Sequence, residues 1–200
     1  HRDFRWLWTG VFCSTAGHWI QIATLGWVVY DMTGSGTLLG AVLGARGLPM
    51  LLMAPLSGVI ADRYDRRRML AVTQIPLVAI SFVLALMLAL EAVQVWHLFV
   101  FTLIGGVSNV FDRTLRNTLV FDLVPRAEAA NAVALNTIAF SASRALGPAA
   151  AGLLIAWIGP AWNFAIQGLL YASLTATALM IRTTPRVEPS AKTSAWSDMR

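Results

Sequence analysis

The sequence predicts an all-α membrane protein with six transmembrane helices, and three observations predict it. Hydrophobic residues fill 57% of the 200 positions and charged residues only 12%, with eight Trp among them. That balance needs a solvent less polar than water. Charges are also absent from long runs: Trp6 to Tyr30, Gly47 to Ala61, Met69 to Leu90, Ala129 to Ser143, and Ala145 to Ile181. A helix crossing a hydrocarbon core of about 30 Å needs about 20 such residues. Finally, the breaks between runs are too short to house a second domain. Transmembrane β-strands would read as ~10-residue alternating segments, and no such pattern occurs.

The spans fall at about 7–30, 37–61, 69–90, 96–118, 129–158 and 161–181, separated by "DMTGSGT", "DRYDRRR", "EAVQVW", "FDLVPRAEA" and "GP". Span one carries a polar stripe, Ser14, Gly17 or His18, Gln21 and Thr24, spaced by three and four residues. In a bilayer such a stripe faces the bundle interior. Trp19 and Trp27 either stack on an aromatic ligand or pack. His18 either titrates or is a plain hydrogen-bonded histidine.

Span two places Arg46 about 14 Å deep, counted from Thr37 at about 1.5 Å per residue. Span four repeats the polar spacing with Gly105, Asn109 and Asp112. Asp112 and Arg116 share a helix face at i, i+4, with Arg113 adjacent. That pairing favours the ionised carboxylate. A proton carrier there must break the pair, and a structural or gating ion pair need not. Span five centres on Arg144, roughly 21 Å from either end. A buried Arg costs about 2.5–3.5 kcal/mol on insertion scales, so Arg46 and Arg144 should look into the bundle, a cavity or a partner acid. Each would then contact an anionic substrate, modulate a nearby acid, or bond carbonyls freed by Pro49 or Pro148. Span six opens at the Gly159-Pro160 turn. Trp6, Trp8, Tyr30, Trp96 and Trp162 mark span ends as interfacial anchors.

Net charge is +5, but its placement reports topology. Arg2, Arg5, Arg63, Arg66, Arg67, Arg68, Arg126, Arg182, Arg186, Lys192 and Arg200 all fall on one side, which predicts that both ends of the segment are cytoplasmic. No nucleic-acid partner is implied. Cys13 stands alone and three scattered His offer no metal site. Gly34-Ser35-Gly36 lacks both the spacing of an intramembrane serine protease and the Gly-Lys of a P-loop, so an enzyme is not expected.

Gly58, Ala61-Asp62-Arg63 and Arg66-Arg67-Arg68 follow a G-x-x-A-D-R-x-x-R-R-R spacing. This resembles the loop signature between helices two and three of the major facilitator superfamily, and its "DRxDRRR" form is similar to that of bacterial drug and siderophore exporters. "GHWIQIATLGWVVYDMTGS" (17–35) and "LVPRAEAANAVALNTIAFSASRALGPAAAGLL" (123–154) resemble the same branch. Gly147-Pro148 with Gly152 is similar to the helix-five motif associated with antiporters. Asp65 replaces the usual Gly, and "FDRTLRN" (111–117) is more charged than the branch's pattern.

The resemblance implies a six-helix N-terminal half, an inverted 3+3 repeat, over 1–182. Residues 183–200 would begin a cytoplasmic linker, and a C-terminal half would be missing. "ARGLP" (45–49) and "SRALGP" (143–148) faintly echo the repeat, each with an Arg before a Gly/Pro break. The implied function is proton-coupled export of small amphipathic molecules, such as drugs or siderophores, from a bacterial inner membrane. Gly58, Asp62, Arg63, Arg66 and Arg67 would form a cytoplasmic gate. His18, Gln21, Arg46, Asn109, Asn136 and Arg144 are the candidate cavity. Asp112, Arg113 and Arg116 are the candidate coupling or gating group. The partners are then a small solute, lipid and the second half, with the proton motive force in place of a cofactor. A non-transporting scaffold of the same fold, or an importer, are the alternatives.

Overall fold

The computed structural model describes residues 2–53, 57, 65–123 and 128–180. They form α1 (Arg2–Thr33), α2 (Gly36–Ala45), α3 (47–53), α4 (Arg66–Ala89), α5 (Val95–Leu123), α6 (Ala129–Ile158) and α7 (Pro160–Met180). No strand occurs among the described residues. The six expected spans correspond to α1, α2 with α3, and α4 to α7.

Local chemistry sets the ends. Gly34 adopts φ +61°, closing α1, and Ser35 caps α2 by accepting a hydrogen bond from the Leu38 N–H at 3.2 Å. Gly159, at φ +85°, ends α6 where a side chain would be strained, and Pro160 starts α7 where no N–H is needed. The second span breaks at Arg46 because Pro49 has no N–H for the Ala45 carbonyl and Gly47 has weak helix propensity. Pro148 causes no such break; α6 runs through it for 30 residues. The echo between "ARGLP" and "SRALGP" is therefore one of residues and not of backbone shape.

Among the described residues, four helices are long and apolar enough to cross a membrane: Gly36–Met53, Arg68–Ala89, Val95–Arg116 and Ala130–Ile158. α1, with 32 residues, and α7, with 21, have the length. Their composition is more polar because they carry the buried Ser14, Gln21, Thr24, Asn163, Gln167 and Thr177. Both helices sit centrally: α7 packs chiefly on α4 and α1, and α1 also on α6.

Along α1 the interior has three layers. Leu7 and Val11 join Leu70, Leu115 and Leu174 in one apolar cluster. Leu25, Val28 and Val29 join Val42, Leu84, Leu98, Phe101 and Phe164 in another. Between these plugs lie the polar residues of α1, so the predicted stripe does face inward. On α6, Ala139, Ser143, Gly147 and Ala151 are buried at every fourth position, a small-residue seam that lets helices approach closely. Trp6, Tyr30, Trp96 and Trp162 are exposed at helix ends, as anchors require. Trp8 instead stacks on Phe12, with ring centroids 5.8 Å apart.

Candidate functional site

The break in the second span shapes the site. A Cβ on Gly106 of α5 would lie 3.0 Å from both the Arg46 carbonyl oxygen and Pro49 Cγ. Only a glycine lets α5 press against the kink. The contact brings Arg46 over α1, where its Nη2 donates to His18 Nδ1 at 3.3 Å. Asn109 Nδ2, one turn beyond Gly105 on α5, reaches the same Nδ1 at 3.4 Å. Arg has only donors, so Nδ1 is the acceptor and the ring hydrogen sits on Nε2. Three of the predicted cavity residues, from α1, the α2–α3 break and α5, thus form one cluster. Beside it lies a cavity of about 240 Å³, lined by Arg46, Met50, Ser57, Gly106, Asn109 and Thr114 among others.

A second cluster lies one turn along α5. Arg116 Nε donates to Asp112 Oδ1 at 2.8 Å, and Gln74 Nε2 of α4 donates to the same oxygen at 2.7 Å. The remaining Arg116 nitrogens donate to Ser14 Oγ at 2.7 Å, Thr15 Oγ1 at 3.1 Å and the Val11 carbonyl at 3.3 Å. One guanidinium therefore ties α5 to α1, and one carboxylate ties α5 to α4. The expected i, i+4 pair is present, extended into a three-helix knot. This arrangement fits a structural or gating pair; a proton carrier would have to release the two donors that hold the Asp112 carboxylate.

Gln21 does not reach the cavity cluster. Its Oε1 accepts from the Tyr171 hydroxyl at 2.8 Å, joining α1 to α7. Asn136 is half-buried on α6 and shares no hydrogen bond with the cluster. Arg144 is not part of this cluster: it is exposed on this bundle, its guanidinium 5.5 Å from the Trp19 ring centroid. The reason is register. Ser143 and Gly147 occupy the buried seam of α6, which turns Arg144 off it. Trp19 also meets Phe140 edge-on at 5.7 Å and covers Gly147, whose added Cβ would lie 2.5 Å from the Trp19 Cβ. Gly147 is thus a close-packing position, whereas Gly152 has open space around it. Gly58, Asp62 and Arg63 lie outside the described residues, as do the side chains of Arg66, Arg67 and Arg113.

Sequence reasoning passed over Gln74, Gly106 and the polar face of α7. Asn163 Nδ2 donates to Thr24 Oγ1 at 2.9 Å and to the Ala151 carbonyl at 3.1 Å, joining α7 to α1 and α6. The signal was available: Asn163, Gln167 and Tyr171 recur every four residues, by the same rule that exposed the stripe on α1. Bonds of this kind between membrane helices average about 0.6 kcal/mol, reaching about 1.7.

A family profile described as transmembrane secretion effector matches residues 1–194. The chain is similar to the staphyloferrin A transporter of Staphylococcus aureus, 26% identical over 84% of this chain and 42% of that protein. It is 25% identical to the uncharacterized MFS-type transporter YfiS of Bacillus subtilis, over 79% of this chain and 36% of that one. With macrolide efflux protein A of Streptococcus pyogenes the identity is 23%, over 89% of this chain and 44% of the relative. The chain spans less than half the length of these curated relatives.

Proposed function

The chain belongs to the transmembrane secretion effector family of major facilitator transporters, and we propose that it forms the N-terminal half of a proton-coupled exporter. Its cargo would be small amphipathic molecules, drugs or siderophores, moved out across a bacterial inner membrane. The observation that carries this reading is the polar middle layer between two apolar plugs, where Arg46 and Asn109 both reach His18 and both line a cavity. A scaffold would gain nothing from holding a cation there, at a cost of about 2.5–3.5 kcal/mol. The relatives' names, one a siderophore transporter and one a macrolide efflux protein, support the class of cargo.

In the proposed cycle a second six-helix half faces this one, and the two rock about the central site. The basic hairpin at 62–68 lies on the cytoplasmic side with both ends of the segment, and Asp62 with its arginines latches that side in one state. Asp112 and Arg116 hold α1, α4 and α5 together as a unit during rocking. The test is counter-flow and efflux by the full-length protein in proteoliposomes, with and without an imposed pH gradient. Gradient-dependent export supports the proposal. Absence of flux for siderophore and macrolide panels favours the scaffold, and gradient-driven movement only inward favours an importer.

A further inference from the structure

Arg46 and Arg144 are cations at mid-span, and neither has an ion-pair partner among the described residues. Among the described residues the acid well inside a span, Asp112, is already held by Arg116 and Gln74. Both arginines nevertheless reach the same turn of α1 from opposite neighbours. Arg46 comes from the break between α2 and α3 onto His18, and Arg144 comes from α6 onto Trp19. Arg46 keeps donors in reserve. One Nη group is used on a neutral histidine, while its Nε is buried with no hydrogen-bond partner. A buried donor without an acceptor is costly, and Arg46 lines the cavity, so a group there that accepts hydrogen bonds and carries negative charge would offset the cost.

We propose that the cavity between α3 and α5 is an anion subsite, in which Arg46 takes an acidic group of the transported solute, of the carboxylate class. Carboxylate geometry suits the guanidinium edge, since two oxygens can accept from neighbouring N–H groups. Asn109, 3.4 Å from the same His18 nitrogen, holds the ring that orients Arg46. Arg144 raises the local positive potential from the other side of α1. The solute class is therefore anionic amphiphiles, and cationic ones are disfavoured by two uncompensated charges. This inference rests on the transporter reading above and narrows it.

The experiment uses two dyes on one scaffold, anionic carboxyfluorescein and cationic rhodamine 6G, with the full-length protein in detergent and in proteoliposomes. Equilibrium binding should favour carboxyfluorescein. Arg46→Gln should weaken it by about tenfold or more, as loss of a charge-assisted contact does, while leaving rhodamine 6G unchanged or tighter. Arg46→Lys should retain most of the binding. If Arg46→Gln does not fold, Met50→Glu on the cavity lining should abolish carboxyfluorescein binding by adding a like charge. Failure of the wild type to bind carboxyfluorescein, a preference for rhodamine 6G, or equal loss of both dyes in Arg46→Gln would each overturn the subsite. Flux in the proteoliposomes separates the two ideas. Export of rhodamine 6G alone sinks the anion subsite and spares the transporter, whereas selective binding of carboxyfluorescein without any flux does the reverse.

Discussion

Replacing Arg116 by leucine should destabilise the bundle sharply, because the side chain donates to four acceptors at once: Asp112, Ser14, Thr15 and the Val11 carbonyl. Both members of the ion pair are only 13–14% exposed. Removing one partner of a buried pair leaves the other charge uncompensated, at about 3–5 kcal/mol. For the full-length protein that corresponds to a fall in Tm on the order of 5 °C or more. Intrinsic Trp fluorescence during thermal unfolding in detergent reads it directly. The informative comparison is the double variant Arg116→Leu with Asp112→Leu. With both charges gone, the penalty of an orphaned carboxylate vanishes, so at least half of the lost stability should return. Recovery stays incomplete because Gln74 and Ser14 lose their partners. A single variant as stable as wild type, or a double variant that loses the sum of both singles, would refute the knot as a unit.

Other outcomes follow from the same geometry. Gly147→Val should cost about 1–3 kcal/mol by overpacking against Trp19, whereas Gly152→Ala should hold or slightly raise Tm, alanine being the better helix former; the added Cβ meets Trp19 in the first case and open space in the second. Tyr171→Phe should lower stability by about 1 kcal/mol through the lost bond to Gln21, again read by thermal unfolding. A cysteine placed at exposed Arg68 should react with an impermeant maleimide only in inside-out vesicles; labelling of intact cells would invert the topology. Asp62→Asn should reduce transport in proteoliposomes while membrane insertion, measured by fractionation, stays normal.

Much of the architecture was legible because the bilayer imposes a one-dimensional code. Uncharged length marks a span, and glycine with proline marks its end; Gly159-Pro160 closes α6 and opens α7 as the dipeptide implies. The i, i+4 spacing of Asp112 and Arg116 likewise announced their contact, since helix geometry alone brings them together. Pairings between helices carry no such local signature. Nothing in the sequence says that Gln74 meets Asp112 or that Arg116 reaches Ser14. Nor does it say that Gly106 receives the kink at Arg46.

Depth could be counted along each span, so both mid-membrane arginines were found from the sequence. Direction could not, because the azimuth of a helix is set by what it packs against. Register against the seam of Ser143 and Gly147 turns Arg144 outward onto Trp19, while a proline break and a facing glycine turn Arg46 inward onto His18. Residue order thus determined which groups share a depth in the membrane, and only the packing of helices decided which of them meet.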